Sequence, residues 1–239
     1  MTQPIDLSVV IPAYEEAATI GECVCELERE LHKLNEPYEI LVVDDGSTDG
    51  TFAKLTELRG EVVQLRALRF AHHRGQTAAL DAGFRHARGT VVVTMDADMQ
   101  NDPADIPKLL EALRHCDVAC GVRVERRDGF VKRASSRVAN WVRNKLSGEH
   151  IRDTGCSLKA YKRDFLVKLK LYDGMHRFLP TLLKMEGARV TEIPVNHRPR
   201  LKGRTKYNIC NRVFKSFRDL FAVRWMKRRF IRYEIGEEF

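Results

Sequence analysis

No stretch of this chain approaches the roughly 18 to 20 consecutive apolar residues that a membrane span requires. Its start carries neither a basic cluster nor a hydrophobic signal stretch, so neither a transmembrane anchor nor a secretory leader is expected. The six cysteines (Cys23, Cys25, Cys116, Cys120, Cys156, Cys210) contain no Cys-x-x-Cys pair. Neither a zinc site nor a disulfide framework is therefore expected, and buried, reduced thiols are the simplest reading. No glycine-rich phosphate loop stands near the start, which argues against a nucleotidyltransferase. Repeats and low-complexity tracts are missing too. What is left, at 239 residues with 44% hydrophobic and 31% charged, is a globular chain able to bury one large core or two small ones.

Acidic residues are scarce in one place. Residues 197–232 hold thirteen Lys or Arg against a single acid, Asp219, a segment charge of +12, so the remainder carries about −4 of the net +8. A concentrated basic end implies an anionic partner, which could be nucleic acid, a phosphorylated ligand or an anionic membrane surface. Charge alone does not choose among them.

Along the chain, apolar runs alternate with amphipathic stretches. Residues 7–11 read as a buried strand stopped by Pro12, followed by a helix over 19–34. Residues 38–43 read as a second strand, ending in Asp44-Asp45-Gly46-Ser47-Thr48-Asp49-Gly50 before a helix over 51–58. A third strand over 62–70 and a helix over 75–87 precede Val91-Val92-Val93-Thr94. Later elements are a helix over 103–114, a strand over 118–122 ending in Arg123, a basic helix over 130–146, short strands up to Tyr161 and over 189–195, and a helix from Asn208. This order predicts an α/β fold with a mainly parallel sheet covered on both faces.

In such sheets ligands bind beyond the carboxyl ends of the strands. Those ends carry Pro12-Ala13-Tyr14-Glu15-Glu16, Asp44-Asp45 and Met95-Asp96-Ala97-Asp98-Met99-Gln100. Residues i and i+2 of extended chain point the same way, so Asp96, Asp98 and Gln100 can offer oxygens to one point. Hard divalent cations, Mg²⁺ or Mn²⁺, take such ligands together with substrate phosphate oxygens. A bare Asp-x-Asp is as readily a polar turn after a core strand. Likewise Tyr14 and Glu16 alone could begin a helix, Asp44 and Asp45 could form an Asx turn, and the basic residues of 123–145 could be a solvated face. Three strand ends delivering such residues to one edge favour a site. His72 and His73 have no acidic neighbour in sequence and receive no role. Thr154 and Ser157 have no histidine placed to activate them, so structural roles are expected.

With Val9-Val10-Ile11-Pro12-Ala13-Tyr14-Glu15-Glu16, Val42-Val43-Asp44-Asp45-Gly46-Ser47-Thr48-Asp49-Gly50-Thr51 and Met95-Asp96-Ala97-Asp98-Met99-Gln100 in this order, the chain resembles the family 2 glycosyltransferases of the GT-A fold. Gly121-Val122-Arg123, Asp153-Thr154-Gly155-Cys156-Ser157-Leu158-Lys159-Ala160-Tyr161 and Arg200-Leu201-Lys202-Gly203-Arg204-Thr205-Lys206-Tyr207 resemble the branch that glycosylates polyisoprenyl phosphates, such as dolichol-phosphate mannose synthases and undecaprenyl-phosphate sugar transferases. The resemblance implies a nucleotide pocket of Pro12, Tyr14, Glu16, Val43 and Asp45, with Asp45 on the base or ribose side. Asp96, Ala97 and Asp98 would bracket the donor diphosphate, with Gln100 joining Asp96 and Asp98 as a metal ligand. Arg200 and Lys206, with a Gly203 hinge between them, would close over the donor phosphates. Arg123, Arg133, Ser136 and Arg137 would bind the acceptor phosphate, and Asp98, Arg123, Arg200 and Lys206 form the implied catalytic set. Met99 stands where Leu is usual. The paired C-terminal membrane helices of many bacterial members have no counterpart in this sequence.

The implied activity is metal-dependent, inverting transfer of a hexose from a nucleotide-diphosphate sugar, of GDP-mannose or UDP-glucose type, to a polyisoprenyl phosphate. The implied organisation is a catalytic unit over 1–207 and a basic amphipathic helix and tail over 208–239. That helix, with Ile209, Val213, Phe217, Leu220, Phe221 and Trp225 on one face, has two readings: it lies in an anionic membrane surface, or its apolar stripe packs on the core. The expectation is a cytoplasmic protein held peripherally at the cytoplasmic face of a membrane. Two alternatives stand beside it: a family 2 transferase with a soluble sugar or polysaccharide acceptor, and a non-catalytic nucleic-acid-binding protein. The second is opposed by the acidic sheet edge and by the lack of a run of stacking aromatics.

Overall fold

The computed structural model describes residues 5–124, 151–199, 209–231 and 236–237, with only the backbone described over 209–217. Among the described residues seven strands form one sheet in the order β3-β2-β1-β4-β6-β5-β7. They are β1 (Leu7–Ala13), β2 (Tyr38–Asp44), β3 (Leu65–Arg69), β4 (Val91–Thr94), β5 (Val118–Arg123), β6 (Lys159–Lys162) and β7 (Val190–Val195). The described helices are α1 (Ile20–His32), α2 (Thr51–Leu58), α3 (Gln76–His86), α4 (Ile106–Ala112), α5 (Arg163–Leu166), α6 (Leu179–Met185) and α7 (Ile209–Arg229). The basic helix expected over 130–146, the donor loop with Arg200 and Lys206, and the 207/208 boundary lie outside the described residues.

The apolar runs are continuous because the sheet is buried on both faces. Alternate residues of β1 face opposite ways: Val9 and Ile11 join a cluster with Ile20, Val24 and Leu27 of α1, Leu55 of α2 and Leu109 of α4. Val10 joins the other, with Leu80 and Phe84 of α3, Leu182 and Leu183 of α6, and Leu220 and Val223 of α7. A Cβ at Gly83 would lie 2.3 Å from a methyl of Val10, so only glycine lets α3 approach β1 this closely.

Two expectations need correction. Pro12 does not stop β1, which runs through it in register with Val43. Val10 turns its backbone groups toward β4, accepting from Met95 N–H at 3.2 Å, and Pro12, two residues on, faces the same side. The β1–β4 ladder ends at Val10 and Thr94, so the N–H that proline lacks has no ladder partner there to lose. The helix from Asn208 also turns differently. Leu220 and Val223 are buried, whereas Phe221 and Trp225 are 50% and 64% exposed.

β6 runs antiparallel between β4 and β5. Its start at Lys159 therefore lies beside the ends of β4 and β5, which brings residues 153–157 to the edge where the parallel strands end. The loop after β7 reaches the same edge: Asn101 and His197 form a bridge, Arg198 N–H donates to Gln100 C=O at 2.9 Å, and the Arg198 guanidinium holds Glu26 and Asp102.

Candidate active site

Beyond β1 and β2, two loops are stitched together by side chain to backbone bonds. Glu15 N–H donates to Ser47 Oγ, Glu16 N–H to Thr51 Oγ1 and Ala17 N–H to Asp49, each at 2.9 Å. Glu16 also accepts from Thr19 Oγ1 at 2.9 Å, so it opens α1 as well as lying on the site edge. Asp44 accepts from Ser47 N–H, three residues on, at 3.1 Å. Asp45 does something different. It is buried, and its oxygens accept the N–H groups of Arg74 and Gly75 at 2.6 and 2.7 Å and pair with His73 Nδ1 at 2.8 Å. The sequence left His73 without an acidic neighbour, and the fold supplies one.

That loop joins the strand ends. The His73 ring lies against Tyr14, centroids 4.0 Å apart. Gln76, next to Gly75 at the start of α3, donates its amide to Asp96 at 3.1 Å. A continuous path thus runs from Tyr14 through His73, Asp45, Gly75 and Gln76 to Asp96, across the ends of β1, β2 and β4. Burial pushes the Cys23 thiol up to about 12, and the carboxylates of Asp98, Glu26, Asp96 and Glu16 add to it, which marks how tightly acidic groups gather above α1.

Asp96, Asp98 and Gln100 are half-buried while Ala97 and Met99 between them are buried, the alternation expected from the sequence. The segment is not extended throughout. Met99 has φ +64°, a left-handed conformation uncommon outside glycine, and Gln100 N–H folds back to Asp98 at 3.2 Å. Asp96 N–H is held by Asn101 Oδ1 at 3.1 Å, which also accepts from Ser157 Oγ at 2.8 Å, so Ser157 is structural. Two carboxylates and an amide oxygen are a donor set that fits Mg²⁺ or Mn²⁺. Among the described residues no three His, Cys, Asp or Glu converge as a metal cage, so the remaining ligands would be water or substrate oxygens.

Other residues named from the sequence fall less directly on the site. Val43 is fully buried within the sheet, and Ala97 is nearly as buried. Pro12 sits beside Val43 at the strand end. Arg123 is at the right edge, but Asp153 grips its guanidinium through Nε and Nη2 at 2.7 and 2.8 Å, so it is an oriented ion pair rather than a bare cation. Arg133, Ser136, Arg137, Arg200 and Lys206 lie outside the described residues. The sequence reading missed Gln76 and the turn at residues 73–75. The end of β3, a fourth parallel strand at the same edge, was the available signal.

The model for glycosyl transferase family 2 matches residues 8–170. Among curated relatives, the dodecaprenyl-phosphate galacturonate synthase of Rhizobium johnstonii is 36% identical over 232 residues, covering 95% of this chain and 68% of the relative. The undecaprenyl-phosphate 4-deoxy-4-formamido-L-arabinose transferase of Aeromonas hydrophila is 33% identical over 207 residues, covering 86% and 64%. The chain thus spans about two thirds of the length of these relatives. A mannosyltransferase of Pyrobaculum calidifontis, solved with GDP-Man and Mn²⁺, superposes with a TM-score of 0.67 at 23% identity, covering 92% of this chain and 64% of the other. The glucosyl-3-phosphoglycerate synthase of Mycobacterium tuberculosis, solved with Mn²⁺, UDP and phosphoglyceric acid, gives 0.71 at 20% identity, covering 92% and 78%. These two structures share the GT-A fold with this chain.

Proposed function

The chain belongs to glycosyl transferase family 2, and from that premise we propose that it transfers a hexose from a nucleotide-diphosphate sugar to a polyisoprenyl phosphate, inverting the anomeric centre, with Mg²⁺ or Mn²⁺. The observation that carries the donor half is the path from Tyr14 through Asp45 and Gln76 to Asp96, which ties the ends of β1 and β2 to a pair of carboxylates. The acceptor half is supported by two relatives whose names specify polyprenyl phosphates. Family membership leaves the nucleic-acid-binding alternative without support.

A polyprenyl phosphate is already ionised at neutral pH, so no side chain has to remove a proton from the nucleophile. The protein's tasks are to hold the two substrates in line and to meet the charge on the departing nucleoside diphosphate. What a divalent cation supplies when bound at Asp96, Asp98 and Gln100 is neutralisation of that charge. Within this proposal Arg200 and Lys206 add fixed positive charge over the donor phosphates. Arg123, its plane set by Asp153, and Arg133, Ser136 and Arg137 meet the acceptor phosphate.

The acceptor's head group stands at a bilayer surface, and among the described residues no helix is long and apolar enough to cross a membrane. Peripheral attachment through α7 at the cytoplasmic face is part of the proposal. Phe221 and Trp225, one turn apart, are exposed, and so are Arg218, Lys227, Arg228 and Arg229, while Leu220 and Val223 fix the opposite face to the core. Apolar tips flanked by cations suit an anionic interface.

The test is release of nucleoside diphosphate from GDP-mannose and UDP-glucose, with and without a short prenyl phosphate, in Mn²⁺ or EDTA. Turnover is expected to require both lipid phosphate and cation, and Asp98→Asn is expected to abolish it without changing the melting temperature. Full activity in EDTA refutes the metal assignment, and indifference to the prenyl phosphate refutes the acceptor.

A further inference from the structure

Asp96, the first carboxylate of the site, is held by two separate bonds. Its N–H donates to Asn101 Oδ1 at 3.1 Å, which fixes the backbone where β4 ends. Its side chain is held from another element: Gln76 Nε2 donates to Asp96 Oδ1 at 3.1 Å. An ionised carboxylate only accepts, so the amide of Gln76 turns its NH₂ toward Asp96 and its carbonyl away.

Gln76 starts from a fixed point. It is half-buried at the first position of α3 and follows Gly75, whose φ of +90° and ψ of 161° lie in a region that residues with a Cβ essentially do not enter. Gly75 N–H is tied to Asp45 at 2.7 Å, and Gly75 C=O accepts from Ala79 N–H at 3.2 Å as the helix begins. On the other side Thr77 is buried and its hydroxyl accepts from Gly174 N–H at 3.0 Å. The neighbours of Gln76 are thus anchored to two different loops, one beyond β2 and one before α6.

An amide suits this position for a chemical reason. A carboxylate that binds a divalent cation must present its oxygens in one orientation, and losing the outer group that orients a metal ligand typically costs about tenfold to a hundredfold in metal affinity. A Lys or Arg in place of Gln76 could hold Asp96 as firmly, but its charge would oppose a second cation at the same carboxylate. A neutral donor orients Asp96 and leaves its negative charge for the metal.

We infer that Gln76 is the positioning residue of the metal site, setting the orientation in which Asp96 meets Mg²⁺ or Mn²⁺ and thereby how far the cation strengthens binding of the donor diphosphate. This deepens the proposed function and rests on it. Gln76 does not touch the reacting atoms; it acts through Asp96.

The experiment is calorimetric titration of GDP and UDP into wild type, Gln76→Met, Gln76→His and Gln76→Lys, each in Mn²⁺ and in EDTA, with thermal melts of the metal-free proteins. The quantity read is the metal enhancement, the ratio of the two affinities for whichever diphosphate wild type binds. Gln76→Met keeps the reach of the side chain without its donor, and is expected to lower the enhancement about tenfold or more. It should leave the affinity in EDTA within about twofold and the metal-free melting temperature within about 4 °C. Gln76→His, titrated at a pH where the imidazole is neutral, offers a ring N–H and should recover part of the enhancement. Gln76→Lys should bind the diphosphate in EDTA at least as tightly as wild type and gain little more from Mn²⁺. These two variants also decide the matter if the methionine variant does not fold. An enhancement unchanged in Gln76→Met or in Gln76→Lys overturns the inference. So does an equal loss of affinity in EDTA and in Mn²⁺, because Gln76 would then be meeting the nucleotide or supporting the fold. A wild-type protein whose affinity is the same in Mn²⁺ and in EDTA refutes the metal assignment of the proposed function instead, and the inference falls with it.

Discussion

Replacing Asp45 by asparagine tests whether this carboxylate works as the anchor of the loop that carries α3 into the site. Three donors converge on its two oxygens: Arg74 N–H at 2.6 Å, Gly75 N–H at 2.7 Å and His73 Nδ1 at 2.8 Å. Asparagine keeps one acceptor oxygen and turns an NH₂ group toward at least one of these donors. A hydrogen bond to a charged group contributes about 1.5 to 3 kcal/mol. Because residues 71–74 are exposed and water can partly replace a lost partner, the lower half of that range applies, about 2 kcal/mol. For a chain of this size each kcal/mol moves the melting temperature by about 2 to 4 °C, so a fall of about 4 to 8 °C is expected. Gly75 leads into Gln76, which holds Asp96, so the same displacement reaches the diphosphate site. If it is fully felt on binding, about 2 kcal/mol is a roughly thirtyfold loss of nucleoside diphosphate affinity. Thermal melts and titration with GDP or UDP in Mn²⁺ read both quantities. His73→Ala is the control: its ring is 44% exposed, so removing it should have an effect under about 1 kcal/mol. An Asp45→Asn variant that melts and binds like wild type refutes the anchoring argument. So does one that melts normally but loses the nucleotide, because Asp45 would then be meeting the ligand itself.

Attachment through α7 predicts sedimentation with anionic vesicles at low salt, release at high salt, and loss of binding on combined charge reversal of Lys227, Arg228 and Arg229, each cation near such a surface contributing about 1 kcal/mol. Absence of sedimentation at low salt would eliminate this helix as the membrane contact. Asp117, at the opposite edge of the sheet, is bonded by Lys162 Nζ at 2.8 Å and by Arg189 N–H and Nε at 3.0 and 3.2 Å. Burial alone would raise its carboxyl, but the bonds from Lys162 and Arg189 outweigh it and hold the group well below the usual carboxylate range. A depressed folded value means that its stabilisation is complete above the unfolded value of about 3.9 and is lost as pH falls from there. Asp117→Asn should therefore melt lower than wild type at pH 7, by about 1 kcal/mol or less because Lys162 and Arg189 are 40% and 67% exposed, and the gap should narrow below pH 4. A gap that persists unchanged into acid would assign the loss to packing.

The alternating strands and helices, the acidic edge and the half-buried spacing of Asp96, Asp98 and Gln100 were legible in the sequence because each is written over a few adjacent residues. A strand buried on both faces reads as an apolar run, and a residue two positions on shares its side. What tertiary structure alone decided involves partners far apart in the chain. Pro12 is tolerated inside β1 because the β1–β4 ladder has already ended beside it. The direction of β6 follows from pairing with β4 and β5, which no local pattern reports. His73 meets Asp45 across twenty-eight positions and His176 meets Thr77 across ninety-nine, so neither contact leaves a trace in spacing. In α7 the apolar residues cover more than one face. Leu220 and Val223 are buried, rather than Phe221 and Trp225, because the sheet and α3 present their open apolar surface on that side, and helical periodicity alone carries no information about where a neighbour stands.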